Sequence, residues 1–148
     1  MKHTTSLLIT LSIIYASIAF AGDVKVRAVM TTDPEDEPVT SFTADTPKLF
    51  AMFKTTGIKN GDRLRGVLIA EDVGDVAQAN TKVLEKTLTL EEGTDDGDFA
   101  FSKPTKGWPV GKYRVELYVN DELAKTTEFT IEAAKSEKDS DEEESSKG

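Results

Sequence analysis

Between residues 22 and 132 apolar side chains recur at alternate positions, and clusters of Gly, Pro, Asn and Asp break the pattern at intervals of roughly 8 to 15 residues. A period of two belongs to an extended strand, whose successive side chains point to opposite faces, whereas an amphipathic helix needs about 3.6. In the clearest stretch Tyr113, Val115, Leu117 and Val119 alternate with Lys112, Arg114, Glu116 and Tyr118. Asn120-Asp121 then suits a two-residue hairpin turn, after which Thr127, Phe129 and Ile131 bring a closing strand into register. Upstream, strands are expected over residues 24–31, 49–54, 64–70 and 82–90 and at Phe99-Ala100-Phe101, with Phe42 starting a short edge piece. The run 64–70 is apolar on both phases at Val67, Leu68 and Ile69, which predicts a central strand covered on both sides. Residues 71–81 and 91–98 read as loops, and 103–111, with two prolines and two glycines, as a corner between sheets. The pattern as a whole predicts an all-β domain, a seven-stranded antiparallel Greek-key sandwich.

The two ends differ from this middle. Residues 1–21 carry Lys2, a largely apolar run from Leu7 to Phe20 and the small-x-small pattern Ala19-Phe20-Ala21, the marks of a signal peptide cleaved before Gly22. The apolar run is short for a hydrocarbon core of about 30 Å, and Ser12, Tyr15 and Ser17 interrupt it, which argues against a retained anchor. Residues 133–148 are rich in Glu, Asp, Lys and Ser and contain no apolar side chain larger than alanine, so an acidic, disordered tail is expected there. Residues 22–132 remain as one domain with one core.

Composition narrows the chemistry. The chain has no cysteine and a single histidine, His3, which the expected cleavage removes. Disulfides, thiolate metal sites, cysteine nucleophiles and imidazole bases are therefore outside its repertoire. With 18 Lys+Arg against 27 Asp+Glu, the formal charge of −9 disfavours nucleic acid, whose binding relies on a clustered basic surface. The expected location is periplasmic or secreted, from a bacterial cell, with no stable membrane insertion after cleavage.

The segment from Asn60-Gly61-Asp62 to Ile69, the run Gly107-Trp108-Pro109-Val110-Gly111-Lys112-Tyr113-Arg114-Val115-Glu116-Leu117-Tyr118 and the closing Phe129-Thr130-Ile131 carry a family likeness. Over about Phe42 to Ile131 the chain resembles the immunoglobulin-like or fibronectin type III-like β-sandwich domains of uncharacterised exported bacterial proteins. The resemblance implies that fold and a non-enzymatic role, and supplies no catalytic or binding residues. The inter-sheet cysteine pair of antibody domains is missing. Tyr113, just after the corner, is placed either to bond back to the corner backbone or to serve as an ordinary core aromatic.

The candidate chemistry is sparse. Gly107 to Lys112 superficially resembles a phosphate-binding loop, but three residues separate its glycines where four are needed, Tyr113 follows the lysine, and a strand begins where a helix should. The acidic loop offers Glu92, Asp95, Asp96 and Asp98 as oxygen ligands for Ca²⁺, without the spacing of an EF-hand. Its plain reading is a solvated turn. Carboxylate-dependent hydrolysis would need two acids held across a cleft with separated pKa values, and the acids here lie in turns, the tail and polar strand faces. Recognition is the remaining class. Trp108, Lys112, Arg114 and Tyr118 include the side-chain types that dominate binding hot spots, and Arg114 and Tyr118 alternate onto one outward face. Trp108 would alternatively plug the end of the core, and the loop 71–81 is a rival contact surface. The expectation is thus a non-catalytic module that binds a protein or cell-envelope component, with a Ca²⁺-stabilised structural module and a carboxylate-dependent hydrolase as alternatives.

Overall fold

A computed structural model describes residues 23–135 of the chain. The expected signal peptide, 1–21, and most of the expected tail, 136–148, lie outside the described residues; 133–135 are exposed and irregular. The strands are β1 (Lys25–Thr31), β2 (Ser41–Thr43), β3 (Lys48–Thr56), β4 (Arg63–Asp72), β5 (Thr81–Thr89), β6 (Asp96–Ser102), β7 (Gly111–Val119) and β8 (Glu122–Glu132). One 3-10 turn, Gly74–Val76, is the sole helical element among the described residues, and no helix there is long and apolar enough to cross a membrane.

The strands form two sheets, β1-β3-β6 and β2-β8-β7-β4-β5. The chain changes sheet at every connection except the β4–β5 and β7–β8 hairpins. This corrects the expected seven antiparallel strands: there are eight, and β2 runs parallel to β8, with Phe42 opposite Ile131. Three residues are too few to display a period of two. Phe42 nevertheless buries its ring edge-to-face against Phe129, at 5.4 Å between centroids, and this draws the segment onto the free edge of β8.

Alternation sends one set of side chains from each sheet inward. Tyr113, Val115, Leu117 and Val119 of β7 and Leu64, Leu68 and Ala70 of β4 meet Leu49, Ala51 and Phe53 of β3 and Phe99 and Phe101 of β6. Fully burying one Leu or Phe side chain contributes about 1.5–3 kcal/mol, and with no cysteine this core is the cross-link the domain has. Gly66, inward on β4, leaves room for the Phe99 ring: a Cβ there would lie 2.9 Å from Phe99 Cδ2. The β7–β8 turn uses Asn120 and Asp121, both at positive φ (47° and 70°), the type I′ geometry that matches the twist of the flanking strands. Asn120 also accepts the Arg63 amide through Oδ1 at 2.9 Å and donates through Nδ2 to Asp62 at 2.9 Å, tying the hairpin to the start of β4.

Candidate binding surface

β4 and β7 lie side by side in the five-stranded sheet, and their register sets the outer face: Arg65 opposite Tyr118, Val67 opposite Glu116, Ile69 opposite Arg114. On the other side of β4, Glu85 of β5 sits opposite Val67. The Arg65 guanidinium lies over the Tyr118 ring, 4.3 Å from its centroid. The Tyr118 hydroxyl donates to Glu116 Oε2, and Glu116 Oε1 accepts from Arg114 Nε at 2.7 Å. Arg114 Nη1 in turn donates to Asn80 Oδ1 at 2.7 Å and Glu71 Oε1 at 3.2 Å. At the other end Arg65 approaches Glu85, which holds Lys82 at 2.8 Å. The side chains thus form one connected array across β5, β4 and β7.

This array explains the apolar character of β4 on both phases. Val67 and Ile69 point outward yet are only 4% and 8% exposed, because the flanking charged side chains lie over them. Electrostatics within the array are mutually reinforcing. Burial alone would raise the Glu116 carboxyl, but the hydrogen bonds from Tyr118 and Arg114 outweigh it and hold the group below its usual range. The same bonds raise Tyr118, chiefly through Glu116, and Arg114, chiefly through Glu116 and then Glu71.

The structure brings together two of the four residues read as binding candidates. Arg114 and Tyr118 share this face. Lys112 is exposed at the start of β7 and makes no ion pair with the array; it borders an open depression of about 460 Å³ at the array's end, shared with Thr40, Glu128 and Glu71. Trp108 is not on the surface: it is 2% exposed, and its Nε1–H donates to the Thr46 carbonyl at 2.8 Å, so it closes one end of the core. The expected metal ligands stay apart as well. Asp96 and Asp98 point outward from the three-stranded sheet, while the Asp95 carbonyl and the Glu92 amide serve the turn through Thr55 and Asn60. Among the described residues no three acidic side chains converge on a point that would hold an ion.

Arg65 and Glu85 escaped the reading of the sequence, and Glu71 and Asn80 entered it only within the loop 71–81, read as a rival contact surface. Alternation places Arg65 on the outward phase of β4, but only the pairing of β4 with β7 sets it against Tyr118.

This arrangement is an immunoglobulin-like β-sandwich. The chain is similar to the crystal structure of an immunoglobulin-like protein from Pseudomonas aeruginosa, with a TM-score of 0.50 and 18% identity, over 75% of this chain and 93% of the other. It also overlaps part of an alkylpurine DNA glycosylase of Pseudomonas fluorescens bound to DNA containing an abasic site analogue, with a TM-score of 0.48 and 17% identity, over 74% of this chain and 30% of the other. No protein-family model and no curated protein sequence matches the chain.

Proposed function

We propose that the protein is an exported, non-catalytic immunoglobulin-like module that binds a protein or a cell-envelope component through the outer face of its five-stranded sheet. The observation that carries this reading is the connected array of Arg65, Tyr118, Glu116 and Arg114 on one sheet face. Arg and Tyr dominate binding hot spots, and side chains already held in place lose little freedom when a partner docks. Against the effect of its burial, Tyr118 and Arg114 hold Glu116 below the usual carboxyl range, so the array keeps that negative charge at neutral pH. Export rests on the signal-like residues 1–21.

Affinity capture from envelope extract tests the face. Arg114→Ala and Tyr118→Ala should each reduce recovery of the same partner by about tenfold or more, as expected for hot-spot truncations; equal recovery by wild type and both variants removes this face from the proposal. Intact mass of the recovered protein should correspond to a chain beginning at Gly22, and a mass retaining residues 1–21 would replace the exported domain with a tethered one.

A further inference from the structure

The outer face of the three-stranded sheet is built on the opposite plan. Its register sets Arg27, Lys54 and Asp96 in one row and Val29, Met52 and Asp98 in the next, with Phe50 beyond Met52 on the central strand. The face is bipolar: β1 carries the arginine at one edge and β6 the two aspartates at the other. Val29 is 42% exposed, and with Met52 it borders an open depression of about 490 Å³. On the five-stranded sheet, outward Val67 and Ile69 are covered by ion-paired side chains. Among the described residues every ion pair belongs to that sheet and its turns, and none engages Arg27, Lys54, Asp96 or Asp98. The central strands of the five-stranded sheet therefore lay paired charges over their outward apolar residues, with Leu123 of β8 left 56% exposed beyond them, whereas the three-stranded sheet leaves its outward charges unpaired along the whole face.

We propose that this second face associates with a second copy of the chain about a two-fold axis running along β3. Such a rotation lays β1 of one copy over β6 of the other and keeps the rows level. Arg27 then faces the partner's Asp96, with the partner's Asp98 one row away, and the same contacts recur on the other side of the axis. Met52 and Phe50 meet their own counterparts at the centre, and Val29 packs beside Met52 at the level of the partner's Asp98. Stacked sheets lie about 10 Å apart, a gap that an arginine and an aspartate span together. Lys54, also on the axis strand, meets its own counterpart, a like-charge contact that weakens the dimer and that Asp96, beside Lys54 in register on each sheet, offsets in part. Three strands give a small interface, and interfaces below roughly 1,200 Å² belong to the weak class, so the dimer forms at high local concentration. It leaves both five-stranded faces open.

Sedimentation velocity on the whole chain as recovered from cells, from about 5 to about 500 μM, should show a concentration-dependent monomer–dimer equilibrium. Arg27→Asp or Asp96→Arg alone should weaken association at least about tenfold, because each homodimer then sets like charges opposite one another. Mixing the two single variants should restore it, since every cross-axis pair in the mixed dimer joins opposite charges; circular dichroism establishes that each variant is folded. Met52→Glu should abolish association. A wild-type chain that stays monomeric throughout the range overturns the proposal and leaves the face to a different partner. A dimer indifferent to both single substitutions, or one that mixing fails to restore, overturns it equally.

Discussion

The phenolic hydroxyl of Tyr113 donates a 2.6 Å hydrogen bond to the carbonyl oxygen of Pro109, four residues earlier, across the corner that feeds β7. The ring below it is 1% exposed and stacks on Phe129, with centroids 5.5 Å apart and planes inclined by 16°. One side chain thus fills the core and fastens the crossing between sheets, the arrangement known as a tyrosine corner in immunoglobulin-like domains. Tyr113→Phe should keep the stack and lose the bond, costing about 1–2 kcal/mol in chemical denaturation. An unchanged midpoint would mean that the corner holds without it.

Burial pushes the Tyr113 hydroxyl up to about 12 from its ordinary 10.0. The folded state then retains a proton that the unfolded chain releases, so this contribution is intact below pH 10 and is lost as pH rises from about 10 through about 12. Glu116 behaves oppositely. Its lowered pKa favours the ionised form, so its contribution is present above the ordinary carboxyl value of 4.5 and is lost as pH falls below it. Melting temperature against pH should show both declines. Tyr113→Phe should flatten the alkaline one and Glu116→Gln the acid one; identical profiles for wild type and variants would break the assignment.

Gly66 and Phe99 are a small–large pair between the sheets. Because an added Cβ would come within 2.9 Å of the ring, Gly66→Ala should destabilise by about 1–3 kcal/mol. Combining it with Phe99→Leu should cost less than the sum of the two single substitutions, as coupled neighbours do. Strict additivity in a double-mutant cycle would show that the ring is not what forbids the methyl group.

Asp96 and Asp98 lie outward on β6 while Glu92 and Asp95 lie in the β5–β6 turn, and among the described residues no three acids converge. A ligand at free concentration L that binds only the folded state stabilises it by RT ln(1 + L/Kd) and so raises the melting temperature. Millimolar Ca²⁺ should therefore move the midpoint by less than about 1 °C at constant ionic strength. A rise of several degrees that Asp96→Asn removes would establish a calcium site at this turn.

Much of the sandwich was legible along the chain. The alternation from Tyr113 to Val119 assigned an inward and an outward face, and Asn120-Asp121 named a hairpin turn whose residues adopt the positive φ it requires. These are local properties, set by bond geometry and by which side chains tolerate water, so neighbouring residues suffice to reveal them. The partners of each face were not legible. A period of two says that Arg65 and Tyr118 both point outward, but 53 positions of chain separate them, and only the pairing of β4 with β7 stacks the guanidinium on the ring. Trp108 reads equally well as a hot spot or a plug until the fold brings Thr46 within 2.8 Å of its indole nitrogen. Phe42 announced a short edge piece, but its parallel pairing with β8 appeared only in the fold. The difference between the sheets, one with an ion-paired array over its central strands and the other with its outward charges unpaired, follows from which strands lie next to one another. Sequence determined which side chains leave water; tertiary structure decided their neighbours, because strand order and register are set by the packing of the whole core.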